Sequence, residues 1–194
     1  MKNLTRIEGP ADEPITLAQA KSFLRETNTD EDAYITTLIS VARESVEEYT
    51  RRALLEQTWK LTMDAFPDCM SIELDRSPLV SVETVKYWPS DGGDQVTLDE
   101  GSYLAIPGLV PGLVQFKKSV ITKWPDTYSR ADAVEISFTA GNTDAPYRAV
   151  QAIYMLISNW YENRLPVVQG TIVAKLPINV EWLLSNLKVS GWTV

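Results

Sequence analysis

Residues 146–164, PYRAVQAIYMLISNWYENR, constrain what this chain can fold into more than any other stretch. At about 100° per residue, Ala149, Val150, Ile153, Tyr154, Leu156, Ile157, Trp160 and Tyr161 fall in one broad arc, and Arg148, Gln151, Ser158 and Glu162 fall opposite. An apolar face that wide has to be covered, so the stretch predicts a helix that organises a core. Pro146 suits a first turn, where its missing N–H has no helical partner, and Asp144 is the expected cap. Asn163, Arg164 and Pro166 end the helix. Met155 alone breaks the polar stripe; it reads either as a single exposed methionine or as a contact with another subunit.

A second helix is expected to pack on the first. Between Ala33 and Arg52, Tyr34, Ile35, Leu38, Ile39, Val41, Ala42, Val46 and Tyr49 share one side. Thr36, Thr37, Ser40, Arg43, Glu44, Glu47 and Glu48 share the other, and the adjacent Glu47 and Glu48 read as a wet face. Glu31 and Asp32 favour its first turn through the helix dipole. Ahead of it, Ile15-Thr16-Leu17-Ala18-Gln19 has the form of a capping box, opening a short helix with Leu17, Ala20, Phe23 and Leu24 as its stripe. Residues 1–14 read as an extended arm.

Between the long helices the period changes from 3.6 to 2. Trp59, Leu61 and Met63 alternate with Thr58, Lys60, Thr62 and Asp64, as a strand with one wet face does. Shorter strands are expected at Ile72 and Leu74, Val96 and Leu98, Tyr103–Ile106 and Leu113–Phe116. The last clear one runs through Val134, Ile136 and Phe138. From Val80 and Val82 to Val85 and Tyr87 the alternation slips phase, which predicts a bulge or a break. The fold class is therefore α+β: a helical core of two long helices plus short terminal helices, 15–56 and 142–187, with an antiparallel β insertion at 57–141. Beyond the central helix, 165–177 (LPVVQGTIVAKLP) reads as a hairpin turning at Gln169-Gly170, with Val167 and Val168 facing Ile172 and Val173. So apolar a loop is also how one subunit reaches onto the next. Ile178–Leu187 is a last short helix with Val180, Leu183, Leu184 and Leu187 on one side, and 188–194 is a tail containing Trp192.

Composition narrows the chemistry. None of the 194 residues is a histidine, so the usual general bases, triads and zinc sites have no imidazole to use. There is no phosphate-binding loop, no dinucleotide fingerprint and no paired CxxC. Asp91, Asp94, Asp99 and Glu100 lack calcium-loop spacing and read as a solvated turn. The single Cys69 is expected to be a small, partly buried side chain. A net charge of −8 argues against general nucleic-acid binding. Apolar runs fall far short of the ~20 residues of a membrane span, and MKNLTRIEGP carries no secretory apolar segment; a cytoplasmic protein is expected. No cofactor and no metal are expected. Six tryptophans suggest either core packing or a sugar-stacking surface.

Four segments in order carry a resemblance: Ile15–Arg25, Tyr49–Pro67, Trp124–Gly141 and Asn159–Arg164. Over residues 14–187 the chain resembles the head-to-tail connector (neck adaptor, head completion) proteins of long-tailed phages. The resemblance implies a structural protein with no catalytic residues, assembled in the bacterial host cytoplasm and located in the virion neck. It implies a ring of copies, twelve-fold on the portal protein, that meets a tail-side neck or tail terminator protein. DNA would only pass through. A ring needs heterologous contacts, for which Met155, Val167, Val168, Ile172 and Val173 are the candidates. Trp182, Leu183, Leu187 and Trp192 are the candidates for docking on the portal. The alternative is a carbohydrate- or protein-binding module with a β-rich recognition surface.

Overall fold

A computed structural model describes residues 2–120, 123–164 and 177–189. The fold is α+β, and its contacts divide the chain into two compact units. One, of strands, is built from Met1–Ala11, Glu56–Thr143 and Val189–Val194; the other, of helices, from Asp12–Leu55 and Asp144–Lys188.

In the strand unit every described pairing of strands is antiparallel. In chain order the strands are β1 (Lys2–Glu8), β2 (Gln57–Met63), β3 (Ser71–Leu74), β4 (Leu79–Tyr87), β5 (Val96–Thr97), β6 (Tyr103–Ile106), β7 (Gly112–Phe116) and β8 (Val134–Ala140). Five form a sheet in the order β1-β2-β8-β4-β5, and three form a second in the order β3-β7-β6. The period-2 pattern explains why β8 is central: Val134, Ile136, Phe138 and Ala140 are all buried while the residues between them are half-buried. Trp59 pairs with Phe138 and Leu61 with Ile136, so the buried set of β2 lies on the same face. The phase slip in β4 is a pair of register shifts against β8, between Leu79 and Ser81 and between Val82 and Thr84, inside one continuous strand. At Gly112 a β-carbon would stand 2.8 Å from the Leu79 Cβ. Only glycine lets β7 run this close to β4.

Residues 2–8, expected as part of an arm, form an edge strand on β2, with Leu4 opposite Leu61. The sequence pattern gives little sign of it. Its residues are almost all exposed, so no alternation of buried apolar side chains marks the strand.

The helical unit contains α1 (Leu17–Leu24), α2 (Asp32–Thr50), α3 (Tyr147–Glu162) and α4 (Ile178–Leu184), which runs on into a 3₁₀ turn, Ser185–Leu187. Thr16 caps α1 as expected, in a reciprocal box. Its Oγ1 accepts from the Gln19 N–H at 3.2 Å, and Gln19 Oε1 accepts from the Thr16 N–H at 2.8 Å. α2 packs on α3, and their shared core is Ile35, Leu38, Ile39, Ala42 and Val46 against Ala149, Ala152, Ile153, Leu156 and Ile157, joined by Ile15, Val180 and Leu184. Asp144 is not the cap of α3. Pro146 holds that position in an extended conformation, its carbonyl accepts from the N–H groups of Ala149 and Val150, and no side chain caps the helix.

Two polar residues of α2 also depart from expectation. Arg43 and Glu47, placed by periodicity on the wet side, are only 5% and 4% exposed. The reason is a partner from outside the helix: Arg43 Nε donates to Glu13 Oε2 at 2.8 Å, and its Nη1 donates to Glu47 Oε2 at 2.8 Å. Ser40 Oγ adds a bond to Glu13, and the Leu54 N–H donates to Glu47 Oε1 at 2.9 Å. Burial pushes the Arg43 guanidinium pKa down. The hydrogen bond with Glu13 and the charge of Glu47 outweigh that cost and hold it above the ordinary arginine value.

Candidate interaction surfaces

The end of α3 carries the segment Asn159–Arg164, and its side chains bind the α1–α2 turn. Tyr161 Oη donates to Glu31 Oε2 and lies 3.0 Å from Glu26 Oε2. Arg164 Nη2 donates to Glu31 Oε2 at 2.6 Å, and its guanidinium lies 5.0 Å from the ring centres of both Tyr34 and Tyr161, close enough for cation–π attraction. The Tyr34 hydroxyl reaches the Trp160 carbonyl at 3.4 Å. Two acids and one base converge on a single phenol. The hydrogen bond to Glu31, partial desolvation and the bond to Glu26 hold the Tyr161 phenol well above its usual range. Arg164 and then Tyr161 hold the Glu31 carboxyl below the usual one. The cluster is a clamp.

Beside it runs a groove of about 300 Å³. Phe23, Met155, Val180 and Pro177 supply its apolar lining, and Glu162 and Asn163 are among the polar residues around it. Phe23 is half-exposed, with its ring stacked on Tyr154 at 4.8 Å. Met155 is therefore not a lone surface methionine. It is half-buried, packs against the helical core and contributes to the groove.

α4 presents a second surface. Val180 and Leu184 are buried and Leu183 and Leu187 pack on the core, which leaves Ile178 and Trp182, one turn apart, 86% and 77% exposed. Residues four apart lie side by side on a helix, so the two form one patch. Of the residues expected to dock on a portal, Trp182 is thus open to be covered by a partner, whereas Leu183 and Leu187 are half-buried within their own unit. Val167, Val168, Ile172, Val173 and Trp192 lie outside the described residues, as does all but the last residue of the expected 165–177 hairpin. Ile178 was not among the residues expected at a contact. Its spacing of four from Trp182, on the side away from Val180 and Leu184, is the signal that the sequence offers.

In the strand unit, a cleft of about 490 Å³ is lined by Phe66, Met70, Phe116, Lys118, Lys123 and Trp124, among others. Its tryptophan is committed to packing. Trp124 stacks on Phe66 at 4.9 Å, meets Phe116 edge-on at 5.3 Å and donates from Nε1 to the Cys69 carbonyl. Trp59 is buried, and Arg130 lies 4.3 Å over Trp88. A sugar-stacking face needs open rings, and these are engaged. Cys69 itself is exposed rather than partly buried. Among the described residues no group of three or more histidine, cysteine, aspartate or glutamate side chains is arranged to hold a metal. No helix among them is long and apolar enough to cross a membrane.

Residues 14–87 match the family model described as phage gp6-like head-tail connector protein. Among curated proteins none matches the chain. Solved structures match it along almost its full length. A chain from the neck of an empty GTA particle computed with C6 symmetry is 19% identical, with a TM-score of 0.78, and 98% of this chain and 97% of that chain are covered. A chain from the virion of a native gene transfer agent particle gives 19% and 0.74 over the same shares, and one from the native GTA neck computed with C12 symmetry gives 17% and 0.71, again over the same shares. The likeness extends the shared fold beyond the family match to both units.

Proposed function

We propose, starting from the match of residues 14–87 to the phage gp6-like head-tail connector family, that the chain is a member of that family and a structural protein of a virion neck, and that it works as a ring joining the DNA-filled head to the tail. The family match carries this reading. The similar chains come from necks computed with C6 and C12 symmetry, which favours a ring of this chain as well, twelve-fold on a portal protein, with a tail-side neck or tail terminator protein beneath. The role is passive, with no reaction catalysed. Assembly would take place in the host cytoplasm, and DNA would pass through the channel without being held, a passage that the acidic balance of the chain favours.

Within the ring, the two long helices with their short neighbours act as the coupling core and the strands of 57–141 as an insertion between them. Residues 9–14 lead from the edge strand β1 into that core, and 188–194 follow it in the chain. Met155 and the apolar residues Val167, Val168, Ile172 and Val173 serve contacts between copies. Trp182, backed by Leu183 and Leu187 and joined by Trp192 of the tail, serves the portal. What supports this is the exposed Ile178 and Trp182 pair on α4, an apolar patch left uncovered among the described residues.

Electron microscopy of the isolated neck tests the proposal. The expected result is density for this chain in a closed ring between portal and tail, and particles made without the chain should accumulate as heads without tails. Tailed particles assembled in its absence would overturn the reading. Deleting 190–194 should weaken portal attachment while leaving the domain folded; unchanged attachment removes the tail from the account.

A further inference from the structure

We infer that the outer edge of β1 in one copy of this chain pairs, antiparallel, with the outer edge of β6 in a second copy. The inference rests on the ring reading above and names the two faces that meet. Four strands end the two sheets, β1 and β5 in one and β3 and β6 in the other. Two of them offer little. β5 is two residues long, and the outer edge of β3 is covered, because Lys2 Nζ donates to the Glu73 carbonyl at 2.7 Å and lies 3.0 Å from Asp75 Oδ2. β1 and β6 remain. Leu104 on β6 is 48% exposed, and residues 103–116 carry no charge, so β6 lacks the charged side chains that usually blunt an edge.

Hydrogen-bond phase selects the groups on offer. The Lys117 N–H donates to the Ser102 carbonyl, so along β6 Leu104 and Ile106 turn toward β7 while Tyr103 and Ala105 turn away from it. The Gly141 N–H donates to the Pro78 carbonyl on the β4 side of β8. Carried through the registers of β8, β2 and β1, that alternation turns Leu4 away from β2. Setting Leu4 opposite Ala105 joins the outward groups and puts Arg6 opposite Tyr103. Burial, and then the charges of Glu100, Glu83 and Asp99, push the Tyr103 phenol up, so Arg6 arrives where negative charge already gathers. A parallel pairing would carry Arg6 to the other end of β6. Nor can a chain pair these edges with itself. β6 packs on β4, and β2 and β8 lie between β4 and β1, which sets the two edges roughly 14 Å apart on opposite flanks of the strand unit. Two different patches facing opposite ways make a heterologous contact, which closes into a ring when the rotation between copies allows.

The test uses the full chain in a Cys69→Ser background, concentrated to several hundred micromolar and followed by sedimentation velocity and by disulfide formation under mild oxidation. In this register Thr5 faces Leu104 as a non-hydrogen-bonded pair with Cα atoms about 4.5 Å apart, which suits a disulfide. Mixing Thr5→Cys with Leu104→Cys should give a mixed dimer, told apart by mass, about tenfold more abundant than from Thr5→Cys with Val41→Cys, an exposed control on α2. Adding Ala105→Pro to the Leu104→Cys chain removes one outward N–H and no bond to β7. It should cut the yield to the control level with the circular dichroism spectrum unchanged; if that variant loses its fold, the cysteine comparison decides alone. Equal yields from both mixtures, with oligomers present, would overturn the edge pairing and leave the ring intact. A yield untouched by a folded Ala105→Pro variant would mean proximity without strand pairing and would overturn it too. Oligomers absent at every concentration would also overturn it, while the ring reading is judged separately by the density of the isolated neck.

Discussion

Arg43 is the residue whose removal should be felt most. It lies between Glu13 and Glu47, and both bonds are 2.8 Å long. Truncation would leave Glu47, at least as buried as Arg43 itself, without this cation. Removing one partner of a buried ion pair typically costs about 3–5 kcal/mol, and Arg43→Ala is expected to fall in that range in urea unfolding. Arg43→Met with Glu47→Leu, which removes both charges, should recover a large part of the loss. The burial of these two residues cannot be read from α2 alone. Helical period puts them on the polar side, and only Glu13, thirty residues earlier in the chain, makes that side an interior one.

The Tyr161 clamp makes a pH prediction with two signs. Glu31 has a lowered folded-state pKa, so its contribution to stability is present above the unfolded carboxyl pKa and is lost as pH falls through the folded one. Tyr161 has a raised pKa; its contribution is present below the unfolded phenol pKa and is lost as pH rises through the folded one. Melting temperature followed from neutral pH down to about 3 should therefore fall less steeply for Glu31→Gln than for the parent chain. At alkaline pH, the tyrosinate absorbance lost in Tyr161→Phe should be absent throughout the ordinary phenol range and emerge only above it. Parallel acid curves for parent and Glu31→Gln, or a difference spectrum rising near an ordinary phenol pKa, would remove the clamp.

At the scale of elements, what sequence reveals depends on how local the cause is. The capping box of α1 involves residues three apart, and the alternation in β2 and β8 needs only neighbours, so both are legible. β1 is not: its pairing with β2 spans fifty residues or more, and an exposed edge strand carries no buried alternation. The groove belongs to the same class, because Phe23, Met155 and Val180 come from three different helices. Met155 stands out in the sequence as an anomaly, but its companions emerge only once α1 and α4 are packed against α3. The close approach of β7 to β4 gives a further prediction. With a β-carbon at position 112 only 2.8 Å from the Leu79 Cβ, Gly112→Ala forces backbone rather than a flexible side-chain end to move. A loss of about 1–3 kcal/mol is expected in denaturant unfolding, and Leu79→Ala in the same chain should relieve little of it, because the Cβ that clashes remains. Leu79→Gly, which removes that Cβ, should lower the added cost of Gly112→Ala. A neutral Gly112→Ala would mean that β7 yields easily.

Across the whole molecule, the proposed role rests on surfaces. Trp182 is the side chain that separates stability from assembly most cleanly, because it is 77% exposed. Trp182→Ser should leave the circular dichroism spectrum of the isolated chain unchanged and alter its unfolding free energy by no more than about 0.5 kcal/mol, as surface changes do. In particles it should reduce the yield of joined heads and tails, counted by electron microscopy. Normal yield would remove Trp182 from the proposed portal contact.

α2 has a mechanical consequence as well. The backbone passes between the strand-rich and helical units near residues 11, 55, 143 and 188. Close to three of those passages a side chain of α2, or of the short stretch that ends it, grips the passing backbone or its neighbour. Arg43 holds Glu13, Glu47 holds the Leu54 amide, and Arg52 Nε holds the Leu187 carbonyl at 2.6 Å. The three crossings are thus moored to a single helix and the two residues that follow it, so loosening α2 would free the chain at all three points together.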